Sequence, residues 1–368
     1  MSDRRLRVLA LAPYSDEGAS VRFRVVQFLP HLAAAGFDAT IHPLFDTALF
    51  RMLYQPGHVI RKTTALIRRS LDRASTLRAG AYDLAFIHRE AYPVGAPLIE
   101  RWLAKKRVPI VFDFDDAIYL PNTSDANRMI GFMKNPGKVG EILRLSTEVI
   151  AGNPYLGDYA RHHARSVNVV PTCVDTTVWV PRSSPRPPGP PVIGWIGTPT
   201  TTSYLRGLHG VLAEVARTHQ FILRVSGAAG PVTMPGVAVE NVPWSQAAEL
   251  TLFNTCDIGV YPLPDNEWTL GKCGFKAIQF MSCGVPVVAS PVGVNRDIVQ
   301  HNVSGILAAS DGEWMAALRG LIENEAERRR LGAGGRARIE ERYSLAANAP
   351  AIVSVFERAA AGVHDSRA

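Results

Sequence analysis

Over residues 181–191, PRSSPRPPGPP, six of eleven positions are proline. A segment short of so many backbone donors cannot run as a helix or as a central strand. The chain is therefore broken there into two parts, each of which must build its own core. A length of 368 residues with 47% hydrophobic content is enough for two cores of ordinary size. On both sides short apolar runs alternate with helical patterns, the order of a doubly wound parallel α/β sheet. Before the break the runs are 7–12 (RVLALA), 85–88, 109–114 (PIVFDF), 149–153 and 167–171. After it they are 192–197 (VIGWIG), 221–227 (FILRVSG), 258–262 and 285–290. The expected layout is a first domain over 1–180, a linker over 181–191, a second domain over 192–345, and a closing helix over 346–368 that packs back toward the first domain.

Forty basic against 33 acidic side chains leave a net charge of +7, which favours anionic partners. Nucleic acid is not expected among them, because aromatic residues do not interleave with the basic run. The four cysteines, Cys173, Cys256, Cys273 and Cys283, form no CxxC pair, which argues against a zinc site or disulfide framework and for a reducing cytoplasm. The opening MSDRRLRVLALAP is charged and leads straight into a strand pattern, so neither a signal peptide nor a spanning helix is expected. Residues 58–78, HVIRKTTALIRRSLDRASTLR, stand apart. Val59, Ile60, Thr63, Ile67, Leu71 and Ala74 recur at helical spacing, while Arg61, Lys62, Arg68, Arg69 and Arg73 crowd the other faces, opposed only by Asp72. Two readings are open: a helix lying on an anionic membrane surface, or the solvated side of an ordinary surface helix.

In open α/β sheets ligands gather at the carboxyl ends of strands. The loop after the first run, PYSDEGASVRFR, offers Ser20, Arg22 and Arg24. Two positions apart on a helix the arginines diverge, so one of them is expected to face a ligand, and Arg22 is favoured. His88, Arg89 and Glu90 follow the second run, giving either an acid or base beside a cation or an exposed charged loop. In 113–116, DFDD, strand alternation puts Asp113 and Asp115 on one side, with Asp116 starting the next turn. Such carboxylates suit a divalent cation on a nucleotide diphosphate, or they hydrogen-bond a sugar hydroxyl and orient neighbours without metal. After VIGWIG, Gly197, Thr198 and Thr200 supply helix-capping hydroxyls that also suit a phosphate. No GxxxxGK[ST] segment occurs and no GxGxxG follows the first run, so neither a P-loop nor dinucleotide binding is supported.

Residues 268–290, WTLGKCGFKAIQFMSCGVPVVAS, join a lysine-bearing glycine turn to a helix and then to a buried strand. A loop that leads into a helix offers N–H groups and the positive end of the helix dipole, so a phosphate near Lys272, Cys273 and Gly274 would be well held. Lys276 lies one turn further and Gln279 three residues beyond it, and the spacing lets Lys272, Lys276 and Gln279 point toward one ligand. The other reading is an ordinary helix and strand with lysines in solvent.

Taken together, these segments resemble the GT-B glycosyltransferases, specifically the large retaining family 4, or group 1. The likeness spans nearly the whole chain. It rests on the Ser20, Arg22 and Arg24 loop with QFLPHLAAAGF, on 149–153 with VVPTCVDTTVWVP, on WIGTPTT, on Cys256, Asp257 and Ile258 with Tyr261 and Pro262, and above all on GKCGFKAIQFMSCGVPVVAS. The resemblance implies two Rossmann-like domains facing a cleft, with a nucleotide-sugar on the second and the acceptor on the first. It also implies transfer of a hexose with retention to a glycan or lipid-linked acceptor in cell-surface polysaccharide or glycoconjugate synthesis, without a metal or other cofactor. The place implied is the cytoplasm, at the inner face of the membrane if 58–78 binds lipid. Two glutamates usual on the family's donor helix fall at Gly271 and Gln279, so both carboxylates are missing. An amide can still bond ribose hydroxyls, whereas Gly271 offers nothing to the sugar. Lys272 and Lys276 are natural substitutes for the family's basic phosphate-binding pair. Asp115 falls where the family commonly has a histidine, which makes it, with Asp116, the expected catalytic carboxylate, and Ser20, Arg22 and His88 are expected on the acceptor side. The absent glutamates leave a second reading, a non-catalytic or regulatory nucleotide-sugar binder.

Overall fold

The first run of the chain is buried almost continuously instead of on alternate residues (β1, Leu6–Tyr14). That pattern requires cover on both faces, as in a parallel sheet flanked by helices. A computed structural model of the protein describes residues 4–53, 59–121, 135, 137–184, 186 and 188–365. It separates into two compact units, residues 1–172 with 348–368, and residues 173–347.

In the first unit β1 is joined by β2 (Phe37–Phe45), β3 (Leu84–His88), β4 (Ile110–Phe114), β5 (Glu148–Ala151) and β6 (Val167–Val169). The sheet runs β2-β1-β3-β4-β5-β6 and every pair is parallel. Strand β2 is absent from the runs seen in the sequence. Its residues FDATIHPLF alternate only loosely and contain Pro43, which is tolerated because β2 is an edge strand. Helix Leu345–Asp365 closes the chain, and from Asn348 onward it belongs to this unit. Phe356 is fully buried, edge-on to Phe37 at 5.6 Å and to Phe86 at 5.1 Å, while Arg358 reaches Glu148 at 3.4 Å and Asn168 at 2.7 Å.

Helix Val59–Ala79 differs from its sequence reading. His58 lies outside the described residues, and Arg73, counted above with the outward basic residues, is buried. Its guanidinium donates to the carbonyls of Ala12, Ala91 and His42, and burial, followed by the neighbouring Arg69, pushes its pKa down to about 10. Leu77 also turns inward, whereas Ile67 and Leu71, part of the apolar stripe seen in the sequence, are 55% and 68% exposed. One buried arginine with three carbonyl partners has reset which side of the helix meets the protein.

The second unit repeats the design with β7 (Val192–Ile196), β8 (Ile222–Ser226), β9 (Val239–Val242), β10 (Ile258–Tyr261), β11 (Val287–Ala289) and β12 (Ile306–Leu307), ordered β12-β11-β10-β7-β8-β9. Its core gathers Ile193, Trp195, Leu223, Val225, Ile258 and Val260 from the strands with Leu212, Trp314 and Leu318 from the helices. This unit begins at Cys173, ahead of the proline-rich segment. There the Val174 N–H donates to Tyr343 at 3.0 Å and its carbonyl accepts from Leu345 at 2.7 Å. Further on, Trp179 packs on Phe253, and Arg182 and Arg186 pair with Asp257 at 3.1 and 2.9 Å. The described part of 181–191 is thus anchored to the second unit by its two arginines, a contact that composition alone does not reveal. All four cysteines are buried free thiols, and burial pushes Cys256 and Cys283 up to about 12, far from reactive thiolates.

Candidate functional site

The first sheet changes its winding direction between β1 and β3, and the second between β7 and β10. Crevices at such switch points, outside the carboxyl ends of the strands, are where α/β sheets bind ligands.

At the first switch point a continuous polar line is assembled from three loops. Asp113, at the end of β4, is 1% exposed and is gripped by the Nε and Nη2 of Arg24, whose Nη1 donates to Val170 at 2.8 Å. Its other oxygen, Oδ2, lies 2.6 Å from His88 Nδ1. On the far side of the ring, Nε2 lies 2.6 Å from Ser20 Oγ, which donates to Asp115 Oδ2 at 2.7 Å. Arg89 closes the line, with Nε on Asp115 Oδ1 at 2.8 Å and Nη2 on Asp116 Oδ2 at 2.6 Å. Its backbone is left-handed, φ 64°, and its N–H donates to the Asp113 carbonyl at 2.6 Å. That conformation is uncommon away from glycine and is held here by the surrounding bonds.

Burial opposes ionisation of Asp115. Against it stand the Arg89 guanidinium, then His88, then the Ser20 hydrogen bond, and together they hold the carboxyl well below the usual range. Burial also opposes charge on Arg89, but Asp115 and Asp116 outweigh it and raise its pKa. Of the two readings of the DxD element, this donor set favours carboxylates that orient neighbours, since Asp113 and Asp115 are already bonded to guanidinium, imidazole and hydroxyl groups. Ser20, His88, Asp115 and Asp116 come together as one group. Arg22, favoured from the sequence over Arg24, rests over the Phe23 ring at 5.1 Å. Arg24 is the arginine that turns inward, onto the buried carboxylate of Asp113.

In the second unit the loops after β7 and β8 are locked together. Gly227 has φ +77° and a Cβ there would sit 2.3 Å from the Gly197 carbonyl oxygen, so no other residue fits. Thr202 Oγ1 accepts from the Ala229 N–H at 3.1 Å and donates to Pro199 at 3.0 Å. Thr198 and Thr200 remain exposed on this loop, their hydroxyls 3.0 Å apart. After β10, Asn266 accepts from the Thr269 N–H at 3.0 Å to cap helix Glu267–Leu270. Lys272 follows with its Nζ 5.0 Å from the Trp268 ring centroid, and Cys273 is buried. Gly274 then starts helix Phe275–Ser282 at φ +63°, where a Cβ would fall 2.2 Å from Ile298 Cδ1.

Lys276 and Gln279 are neighbours, as their spacing requires, but they face helix Glu249–Asn254. Lys276 Nζ donates to Gln279 Oε1 at 2.8 Å and lies 3.6 Å from Glu249 Oε1, which accepts from Gln279 Nε2 at 3.2 Å. Gln279 is fully buried. The contacts of Lys276 and Gln279 are thus with each other and with Glu249, while Lys272 lies by the Trp268 ring. Glu249 is a carboxylate the sequence reading missed. Nothing in its local pattern, the first turn of a short helix, distinguishes it, and only the packing of two helices brings it beside Gln279. Gly271 is buried at the end of its helix, and Asp265 and Glu267 are exposed just upstream.

Residues 190–324, within the second unit, match the family model described as glycosyl transferases group 1. The D-inositol 3-phosphate glycosyltransferase of Thermobispora bispora is 31% identical over 134 residues, 35% of this chain and 28% of that protein. The chain thus spans under a third of the length of the curated relatives it matches. Among solved structures, sucrose-phosphate synthase from Thermosynechococcus elongatus superposes with a TM-score of 0.69 at 16% identity, over 98% of this chain and 100% of that one. Anabaena HepE in complex with UDP and glucose gives 0.66 at 15% identity, over 96% and 100%. These likenesses establish the fold, two Rossmann-like α/β units of the GT-B kind.

Proposed function

We propose that this chain, GT-B in fold and a group 1 glycosyltransferase over residues 190–324, moves a hexose from a nucleotide-sugar to a glycan or lipid-linked acceptor, with retention. The observation that carries the reading is the second switch point. There Gly197, Thr198 and Thr200 sit beside the Gly227 turn, and the Lys272, Cys273 and Gly274 turn opens helix Phe275–Ser282. Backbone N–H groups, hydroxyls and one lysine suit a diphosphate. The complex of HepE with UDP and glucose supports a nucleotide-sugar as the class of ligand. In this reading Lys272 and the helix dipole stabilise the diphosphate as it leaves, and the diphosphate takes the acceptor proton. Asp115 stabilises the positive charge growing on the sugar ring or positions the acceptor hydroxyl. The site is read without a metal. The pathway served is synthesis of cell-surface polysaccharide or glycoconjugate at the inner face of the membrane.

One finding favours a second reading, nucleotide-sugar binding without turnover: residue 271 has no carboxylate and Gln279 is enclosed. Thermal shift with UDP, GDP, ADP and dTDP, followed by the matching sugars in a transfer and hydrolysis assay, separates the two. The transferase reading expects one nucleotide to raise the melting point and its sugar to be consumed. Binding with no consumption would leave only the second reading, and no shift with any nucleotide would end both.

Membrane association rests on helix Val59–Ala79. Ile67 and Leu71 are exposed one turn apart, with Arg61, Arg68 and Arg78 exposed around them. Among the described residues no helix is long and apolar enough to cross a membrane, so an interfacial contact with anionic lipid is the mode proposed. In liposome flotation at low salt the protein is expected to rise with anionic vesicles and not with neutral ones, and Leu71→Asp should abolish this. Equal recovery with both vesicle types would remove the lipid partner.

A further inference from the structure

The polar line of the first unit holds more protons than its residue types suggest. Ser20 Oγ lies 2.6 Å from His88 Nε2 and 2.7 Å from Asp115 Oδ2, yet a hydroxyl has a single proton to give. If it donates to Asp115, Nε2 must donate to Oγ. Because Nδ1 also faces a carboxylate, Asp113 Oδ2 at 2.6 Å, the ring then carries both protons. If Ser20 donates to Nε2 instead, Asp115 must itself be protonated to donate to Oγ. Both arrangements need one proton beyond a neutral imidazole and two carboxylates.

Charge decides where that proton rests. Arg24 faces the line from helix Ala19–Arg24, Arg89 from the loop after β3, Asp116 from the loop after β4, and Tyr14 from the end of β1. With a doubly protonated ring, three cations (Arg24, His88 and Arg89) face three carboxylates (Asp113, Asp115 and Asp116) along this line. Ionised Asp115, favoured by Arg89, completes the same arrangement.

We propose that Asp113, His88, Ser20 and Asp115 form a proton-holding line in which His88, protonated on both nitrogens, is a positioning residue that fixes Asp115 through the Ser20 hydroxyl. The line can also shift its proton. The Nε2–H bond breaks as a new O–H bond forms on Ser20, and the original Ser20 proton passes to Asp115 Oδ2, leaving a neutral ring with its Nδ1–H on Asp113. The consequence for turnover rests on the transferase reading above; the proton count does not.

The test uses the full-length protein with 15N-labelled histidine, the His88 signal being assigned by its loss in His88→Gln. At neutral pH both ring nitrogens of His88 are expected to show protonation, and a neutral single-tautomer ring in the folded wild type would overturn the proposal. Ser20→Ala is expected to lower kcat on the order of 100-fold, while Ser20→Thr, which keeps the hydroxyl, recovers most of it. An unchanged kcat in Ser20→Ala would also overturn it. Should the ring prove doubly protonated in a protein that turns over no nucleotide-sugar, the line stands and the transferase reading falls.

Discussion

Replacing Lys272 with alanine is expected to lower kcat/KM by about 10²–10³-fold, the usual consequence of removing one group that stabilises developing negative charge. The side chain is half-buried at the turn before helix Phe275–Ser282, its amine held over the Trp268 ring. Its own N–H donates to Thr269 at 3.0 Å, so the backbone course of the turn survives truncation. The lost interaction would be with the leaving diphosphate, which grows more negative as the glycosidic bond breaks. The melting temperature should therefore stay close to wild type while turnover collapses, and Lys272→Arg should recover part of it. Lys276→Met is the informative contrast, because Lys276 is committed to Gln279 and Glu249. Its removal takes a cation from beside Glu249, which is 2% exposed, so stability should suffer as well as rate. A Lys272→Ala protein that turns over substrate at the wild-type rate would remove Lys272 from the proposed site.

Arg24→Met should destabilise the first unit by about 3–5 kcal/mol, the cost of leaving one member of a buried ion pair without its partner. Asp113 would remain 1% exposed with only His88 beside it, and the Val170 carbonyl would lose its donor. The measurement is the denaturant midpoint of the first unit, followed by a probe local to it, because two compact units need not unfold together. Adding Asp113→Asn to Arg24→Met removes the stranded charge and should return part of the loss, the signature of coupling between neighbours. Arg22→Met, two residues away, should cost far less. A midpoint in Arg24→Met equal to that of wild type would show that the pair contributes nothing.

Much of the architecture was legible in the sequence because doubly wound sheets leave a coarse imprint. Their central strands are buried on both faces and read as unbroken apolar runs, which is why β1, β3, β4, β7, β8, β10 and β11 coincide with runs in the chain. Strands β2, β9 and β12 were not legible. All three are edge strands, β9 being half-exposed and β12 only two residues long, so neither period nor composition marks them. The start of the second unit at Cys173 escaped for a related reason. Proline content reports where regular structure stops, but the pairing of Arg182 and Arg186 with Asp257 decides which unit the segment joins.

The candidate site divides in the same way. Positions along the chain followed from sequence: His88 ends β3, and Asp115 and Thr198 lie just beyond β4 and β7, at the carboxyl edges of their parallel sheets. Partners did not follow. Helical spacing told Arg22 from Arg24 only as diverging, and the buried Asp113 selected Arg24. Spacing placed Lys276 beside Gln279, and the packing of helix Glu249–Asn254 supplied Glu249 and enclosed the amide. Residues 58–78 showed an amphipathic period, and the carbonyls of Ala12, His42 and Ala91 chose which face went inward. By itself the sequence determined the two parallel α/β units and the loops that carry the candidate residues, because both depend on local pattern and chain order. Only the tertiary structure decided which charges pair, and so which side chains are held in place, because a buried charge takes its partner from whatever distant segment the fold brings within reach.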